Sequence, residues 1–351
     1  METVAPTGRD RPGTAAGARP KNVFAALDLG TNNCRLLVAR PTFDGFRVID
    51  AFSRIVRLGE GVSATGTLSD AAMERTLQAL RICAAKMRRR GVRRWRAVAT
   101  EACRRAGNFE AFRARVREQT GLDLEVISSR EEARLSMTGC APLLDPTVRQ
   151  ALVFDIGGGS TELVWLSTNG LRPEVIDVIS LPLGVVNLAE LHGGDRVSPD
   201  IYEKMIDDVA DALEDFDTRH GIRRAIELGD VQMLGSSGTV TTLAGVFKDL
   251  PRYDRSAVDG TFLDFEQAIS VSRSLLAMDF AARAAHPCIG RERADLVVAG
   301  CAVLEAICRV WPVGRLRIAD RGVREGILTE LMGVPDRRRT HSHRPADTLV
   351  V

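Results

Sequence analysis

Two loops in the sequence join a carboxylate to glycine and small polar residues. The first reads Asp28-Leu29-Gly30-Thr31-Asn32-Asn33, and the second reads Asp155-Ile156-Gly157-Gly158-Gly159-Ser160-Thr161-Glu162. Glycine after a strand lets backbone N–H groups approach an anion, and hydroxyl and amide side chains can hydrogen-bond phosphate oxygens. Either loop alone can also be a hairpin turn that uses glycine for its positive φ. The presence of two matching loops favours phosphate binding.

A third stretch has the character of a phosphate loop. It reads Leu234-Gly235-Ser236-Ser237-Gly238-Thr239, follows the apolar run Val231–Leu234 and leads into a predicted helix over 239–247. Unpaired N–H groups and the helix dipole favour anions at such a helix start. The patterns GxxxxGK[ST] and GxGxxG are absent, which disfavours Walker-type nucleotidases and Rossmann dehydrogenases.

The elements that must position these loops repeat along the chain. The first loop lies among three apolar runs that predict an antiparallel meander: Val23–Asp28, Cys34–Arg40 and Phe46–Arg57. A helix is predicted from Asp70, with an apolar stripe of Met73, Leu77, Leu80, Ala84 and Met87. A strand, a helix and a strand follow at Trp95–Ala99, 108–119 and Leu124–Ser128. The second loop lies among Ala151–Asp155, Glu162–Ser167 and Glu174–Leu181, with helices predicted near 198–219, 265–285, 291–309 and 321–333. This duplicated unit predicts two α/β domains with a ligand cleft between them.

Length and composition agree with two folded domains. The 351 residues are divided into a flexible tail (1–21), an N-terminal domain (22–145), a C-terminal domain (146–333) and a flexible basic tail (334–351). No apolar run is long enough for a membrane span, so no membrane partner is expected. A net charge of +2 and 5% aromatic residues argue against a specific nucleic-acid partner. Seven cysteines without a CxxC pair favour a reducing, cytoplasmic location.

Further segments of the sequence, taken together with these loops, resemble the motifs of one protein family. They are Ala99–Asn108, Ile127–Leu135 with its Arg130-Glu131-Glu132-Ala133-Arg134 core, and Asp320–Gly326. Together with the two Asp-headed loops, they resemble the exopolyphosphatase/guanosine pentaphosphate phosphohydrolase family of the actin-like ATPase superfamily, in its short, two-domain form. The resemblance covers about residues 22–332.

The resemblance implies a fold, an activity and a set of site residues. The fold is two ribonuclease H-like domains around a central cleft. The activity is removal of the terminal phosphoryl group from inorganic polyphosphate or from the 5′ end of guanosine pentaphosphate. Glu132 matches the glutamate that activates the attacking water, Arg104 a basic residue that faces the phosphate chain, and Asp28, Asp155 and Glu162 an acidic cluster around Mg²⁺, with Mn²⁺ as the alternative. The remaining expected phosphate-binding residues are Gly30, Thr31, Asn32, Asn33, Gly157, Gly158, Gly159, Ser160, Thr161, Ser236, Gly238 and Thr239.

Several alternatives stay open at this point. The same loops suit a small-molecule kinase or a nucleotide-dependent scaffold of the same superfamily. Glu132 is also a natural residue for the first turn of a helix, where acidic side chains suit the helix dipole. The basic run over 86–96 is either a solvated helix end or a track for distal phosphates. The sequence does not choose between polyphosphate and guanosine pentaphosphate, and it is compatible with a homodimer.

Overall fold

A five-stranded sheet forms the first lobe of the protein. The computed structural model describes residues 22–43, 45–170 and 173–333, so the predicted tails 1–21 and 334–351 lie outside the described residues. The strands are β1 (Phe24–Leu29), β2 (Asn33–Thr42), β3 (Gly45–Ile55), β4 (Arg94–Ala99) and β5 (Glu125–Val126). They lie in the order β3-β2-β1-β4-β5, with β1, β2 and β3 antiparallel and β4 and β5 parallel to β1.

A six-stranded sheet of the same design forms the second lobe. Its strands are β6 (Gln150–Ile156), β7 (Thr161–Ser167), β8 (Glu174–Leu181), β9 (Val231–Ser236), β10 (Phe262–Asp264) and β11 (Arg315–Ala319). The order is β10-β11-β9-β6-β7-β8, in which β6, β7 and β8 form the antiparallel meander and β9 and β11 run parallel to β6. Both sheets therefore place the turn of an antiparallel pair beside the carboxyl end of a parallel strand. The two-domain α/β architecture predicted from the repeat is confirmed.

Helices cover the faces of both sheets. In the first half of the chain they are α1 (Val62–Thr65), α2 (Asp70–Arg89), α3 (Glu101–Arg105), α4 (Phe109–Thr120) and α5 (Ser129–Cys140), followed by a 3₁₀ turn at Ala141–Leu143. In the second half they are α6 (Val185–His192), α7 (Pro199–His220), α8 (Ile222–Glu227), α9 (Ser237–Phe247), α10 (Arg255–Val258), α11 (Phe265–Ala277), α12 (Phe280–Ala285), α13 (Val297–Val310) and α14 (Val323–Met332). Among the described residues, no helix combines the length and apolarity needed to cross a membrane.

Two predicted helices differ from the observed ones. The helix predicted over 265–285 is two helices, because Met278 is extended and Asp279 caps α12 by accepting a hydrogen bond of 2.7 Å from the N–H of Ala282. The helix predicted over 291–309 begins only at Val297. The residues before it form a turn, which changes where Arg293 points.

The basic run lies away from the Asp-headed loops. Helix α2 buries its predicted apolar stripe, and its cationic end is held by Asp50 of β3, which accepts hydrogen bonds from Lys86 (2.7 Å) and Arg90 (2.8 Å). Arg94 then starts β4 opposite Phe24, whereas the first loop follows the other end of β1, roughly 17 Å away along the strands. This location favours a solvated helix end over a phosphate track.

Helices α5 and α14 join the lobes. Although α14 falls within the range predicted for the second domain, Val323, Ile327 and Leu328 pack against the first sheet. Helix α5 packs Ala133 and Cys140 against the second sheet. The two helices therefore lie back to back between the sheets.

The crossing of α5 and α14 leaves no space for side chains. A Cβ atom added to Gly326 would lie 2.0 Å from the carbonyl oxygen of Leu135, and one added to Gly139 would lie 2.1 Å from the carbonyl oxygen of Gly322. Both contacts are with backbone atoms, which cannot move aside without shifting a helix. Glycine is required here for close approach.

Replacing Gly326 with alanine should therefore destabilise the protein by at least about 2 kcal/mol, because the methyl group forces the two helices apart. Gly107→Ala is the matched control, since its added Cβ would meet only the carbonyl oxygen of Gly66 at 3.8 Å. Urea unfolding of both variants measures the difference. Equal free energies of unfolding for the two variants would contradict the proposed crossing.

Candidate active site

A cavity of about 120 Å³ lies between the lobes, where the three predicted loops meet. The predicted site residues that line it are Asp28, Gly30, Thr31, Asn32, Asn33, Glu132, Asp155, Gly157, Gly158, Gly159, Ser160, Gly238 and Thr239. These residues come from the carboxyl ends of β1, β6 and β9 and from the first turn of α5. The fold therefore brings together most of the residues that the sequence singled out.

The two Asp-headed loops share one backbone geometry. The N–H of Gly30 donates to the carbonyl of Asn33, and the N–H of Gly157 donates to the carbonyl of Ser160, each at 2.9 Å. None of the loop glycines has a positive φ. Instead, a Cβ added to Gly159 would lie 2.7 Å from Thr31 Oγ1. The glycines therefore allow the two loops to pack against each other across the cleft, and positive φ does not explain them.

The third loop adds a helix start to the cavity. Ser237, at the first position of α9, has a φ of 95°, an unfavourable conformation for a residue with a side chain. Its buried hydroxyl has no hydrogen-bond partner within the described part of the chain. Gly238 and Thr239 follow in the first turn of this eleven-residue helix and line the cavity, and the N–H groups of a first helical turn have no partner within the helix. Ser236 lies behind them and donates to the carbonyl of Phe154 at 3.2 Å.

Glu132 reaches the cavity from α5 and is fixed by Arg104. Arg104 Nη1 donates to Glu132 Oε2 at 2.8 Å and to the carbonyl of Ile127 at 2.9 Å. The Nε and Nη2 atoms of Arg104 hold Glu101, which also lines the cavity. Arg104 itself does not line it. Its contacts position two carboxylates, a role different from the predicted one of facing the phosphate chain.

The surroundings of Glu132 suit a proton acceptor. Burial raises the pKa of Glu132 well above its usual range, the nearby charge of Glu162 adds to the rise, and Arg104 opposes it. The second carboxylate oxygen, Oε1, receives no hydrogen bond from the residues that the structure describes. Glu132 is therefore held through one oxygen and can take a proton on the other.

The three carboxylates predicted around a metal occupy different positions. Asp28 and Asp155 line the cavity, and Asp155 Oδ2 accepts a hydrogen bond of 3.1 Å from Ser136. Glu162 lies behind the second loop, where its Oε1 accepts hydrogen bonds from Ser160 (2.7 Å) and Ser180 (3.0 Å), and burial raises its pKa to about 7. Glu162 thus orients Ser160 from outside the cavity.

The carboxylate and amide oxygens that line the cavity fit a largely hydrated Mg²⁺. Among the residues that the structure describes, no group of three or more His, Cys, Asp or Glu side chains is arranged to hold a metal ion. Mg²⁺ needs only one or two carboxylates, because it keeps several waters and binds substrate phosphates. Asn32 Oδ1 and Asn33 Oδ1 are buried acceptors without partners in the described structure, and both residues line the cavity beside Asp28 and Asp155. Waters of a hydrated cation can donate to them.

Two arginines in the cavity were missed by the sequence analysis. Arg35 lies opposite Asp28 in the β1–β2 pair, and Arg293 donates to Thr242 Oγ1 at 3.3 Å. Arg35 was detectable, because strand alternation puts it on the same side as Asn33. Arg293 was not, because it fell inside a predicted helix. Of the predicted residues, Arg104, Thr161, Ser236 and Glu162 do not line the cavity; Thr161, for example, donates to the carbonyl of Leu183 at 2.8 Å.

Comparison with known proteins gives one family. The profile of the Ppx/GppA phosphatase family matches residues 37–334. An exopolyphosphatase-like protein of known structure is 30% identical, with 88% of this chain and 97% of that chain covered and a TM-score of 0.81. The Aquifex aeolicus member of the Ppx/GppA family is 29% identical, with 92% and 99% covered and a TM-score of 0.73. An exopolyphosphatase from Cytophaga hutchinsonii is 24% identical, with 90% of this chain and 99% of that chain covered. It has the same fold, with a TM-score of 0.80.

The strain at Ser237 gives a prediction about stability. Ser237→Gly removes both the unfavourable φ and the unpaired hydroxyl, so the free energy of unfolding should rise by up to about 1 kcal/mol. Ser274→Gly in α11 is the control and should lower it by about 1 kcal/mol, because glycine is unfavourable inside a helix. Denaturant unfolding of both variants measures the changes. A loss of stability at both positions would show that Ser237 is not strained.

Proposed function

The chain belongs to the Ppx/GppA phosphatase family, and on that premise we propose that it is a Mg²⁺-dependent phosphohydrolase whose attacking water is activated by Glu132. Its substrates are inorganic polyphosphate, from which it releases terminal orthophosphate, guanosine pentaphosphate, which it converts to guanosine tetraphosphate, or both. The observation that carries the proposal is the position of Glu132. A fixed carboxylate with a raised pKa shares a small cavity with three phosphate loops and two arginines.

The cavity supplies the parts that phosphoanhydride hydrolysis needs. A space of about 120 Å³ admits the end of a phosphate chain and leaves the rest outside. Backbone N–H groups of the loops, together with Arg35 and Arg293, face the oxygens of the terminal phosphoryl group and stabilise the charge that develops on them. Glu132 Oε1 orients a water in line with the bond to be broken and accepts its proton. The water oxygen bonds to the terminal phosphorus while the P–O bond to the rest of the substrate breaks. Orthophosphate is released, and the bridging oxygen leaves with the shortened substrate.

Asp28 and Asp155 would hold the Mg²⁺, which supplies positive charge to the phosphate oxygens when it is bound. Ser136 keeps Asp155 oriented through its hydrogen bond to Oδ2. Burial raises the pKa of Asp28, and the charge of Asp155 adds to the rise, while Arg35 and Arg324 oppose it. A cation between the two aspartates would relieve this repulsion.

One assay tests the activity directly. Purified protein is incubated with Mg²⁺ and either long-chain polyphosphate, guanosine pentaphosphate or ATP, and released orthophosphate is followed. We expect release from at least one of the first two, and loss of that release when EDTA removes the metal. No release from either substrate would overturn the proposal, and transfer from ATP to an added acceptor would support a kinase.

The role of Glu132 is tested against its neighbour. Glu132→Gln should lower kcat by at least about a hundredfold with little change in KM, because the amide cannot accept the proton of the water. Glu131→Gln is the matched control, since Glu131 binds Arg134 and Arg96 outside the cavity. Its kcat should stay close to that of the wild type. Full activity of Glu132→Gln would rule out the mechanism and leave the family assignment intact.

The pH profile of kcat/KM provides a second test of Glu132. Since the ionised form is needed, activity should rise with pH, with a midpoint above the usual range of a glutamate pKa. Arg104→Gln removes a positive charge that favours ionisation, so the midpoint should move to higher pH. Glu162→Gln removes a negative charge that opposes ionisation, so the midpoint should move to lower pH. Shifts in the same direction for both variants would contradict the assignment of the base.

A further inference from the structure

A bidentate ion pair bridges the two lobes beside the cavity. Arg57, just after β3, donates from Nη1 to Asp295 Oδ2 at 2.8 Å and from Nη2 to Asp295 Oδ1 at 2.9 Å. The same Nη2 donates to the carbonyl of Glu292 at 3.2 Å. Two parallel N–H···O bonds between a guanidinium and a carboxylate fix both distance and angle. A second bridge lies nearby, where the N–H of Gly61 donates to Glu190 Oε1 at 2.9 Å.

On the first lobe, Arg57 is tied to the first phosphate loop. The N–H groups of Val56 and Arg57 both donate to the carbonyl of Asn32, at 2.8 and 3.0 Å, and the N–H of Gly59 donates to the carbonyl of Thr31 at 2.9 Å. Arg57 has a φ of 47°, a conformation that non-glycine residues adopt only when their surroundings enforce it. Segment 56–59 and the phosphate loop are therefore positioned as one unit.

On the second lobe, Asp295 lies in the turn that precedes α13. Arg293 and Leu296, on either side of it, both line the cavity. The ion pair therefore connects the first phosphate loop with the turn that carries Arg293. Through this turn, the closeness of the lobes sets the distance between Arg293 and the first phosphate loop.

The pair also lies at the boundary between two cavities. A second cavity of about 500 Å³ is lined by Arg57 and Asp295, and Asn32 and Leu296 line both cavities. The side chains of Arg57 and Asp295 are 32% and 21% exposed, so water reaches the pair and allows it to break and form again. Separation of the lobes at this point would join the two spaces.

We propose that Arg57 is a positioning residue that closes the site: its pairing with Asp295 holds Arg293 opposite the first phosphate loop, and the pair opens to admit substrate and release orthophosphate. Its kinetic consequence rests on the proposed function, whereas the closure itself does not. A site that is closed for only a fraction of the time binds with an affinity reduced by that fraction. Loss of the pair should therefore raise KM more than it lowers kcat.

A double-mutant cycle on turnover tests the pairing. Arg57→Ala and Asp295→Ala should each raise KM by about tenfold, and the double variant should be no worse than either, because each residue acts through the other. The charge exchange Arg57→Asp with Asp295→Arg should recover part of the loss. The matched control is Arg113→Ala with Asp123→Ala, an ion pair within the first lobe, which should leave KM unchanged. Effects that add in the double variant, or no rescue by the exchange, would overturn the proposal.

A distance measurement tests closure without turnover. All seven native cysteines are buried, so spin labels at Glu118→Cys in α4 and Asp211→Cys in α7 report specifically on the distance between the lobes. Arg57→Ala should broaden this distance distribution towards longer values, and Arg113→Ala should not. If Arg57→Ala leaves the distribution of label distances unchanged, the proposed closure by the Arg57–Asp295 pair is overturned, even when the enzyme is active. If the wild type releases no orthophosphate, the proposed function fails. The label distances still test whether the Arg57–Asp295 pair holds the lobes together.

Discussion

The geometry of the site depends on a contact that has no room for a side chain. At the crossing of α5 and α14, Gly139 and Gly326 bring two helix backbones into direct contact. Helix α5 carries Glu132 and Ser136 on the face that continues to Gly139, at spacings of one helical turn. At the start of α14, a Cβ added to Gly322 would lie 3.6 Å from Asp155 Oδ2. The crossing therefore sets the position of Glu132 relative to the aspartates of both lobes.

The same crossing brings buried carboxylates close together, and nearby arginines compensate only part of the electrostatic free energy that this costs. The charges of Asp28, Glu132, Asp155 and Glu162 act on one another, and burial raises the pKa of Asp28, Glu132 and Glu162. Arg35 and Arg324 oppose the shift at Asp28, and Arg104 opposes it at Glu132. Buried carboxylates of this kind are costly unless a proton or a cation joins them. The cation and the proton that the proposed mechanism brings to this site would each offset part of that cost.

Local sequence patterns predicted the strands, helices and loops that neighbouring residues determine. They did not predict contacts between segments that are far apart in the sequence. The repeated loop, the two meanders and the apolar stripe of α2 follow from short-range periodicity and turn chemistry, and they are observed. The periodicity of 321–333 indicated a helix but contained nothing about which sheet it would cover. Arg104 and Glu132 are 28 positions apart, so their hydrogen bond depends on how α3 and α5 pack and not on either motif. The turn before α13 is a similar case, because helix-forming residues such as Arg291, Glu292 and Ala294 extended the predicted helix over a turn whose Arg293 lines the cavity.

The distribution of positive charge bears on how a polyanion is recognised. The basic run over 86–96 is the most cationic segment by sequence, but Asp50 binds Lys86 and Arg90, and Glu125 and Glu131 bind Arg96. No residue of this run lines the cavity. The positively charged side chains that line the cavity are instead two separate arginines, Arg35 and Arg293, one from each lobe. Beyond about 8 Å, exposed charges are largely screened at physiological ionic strength. Under the proposed function, recognition would therefore depend on the last phosphates of the substrate and on how closely the two lobes bring their arginines together.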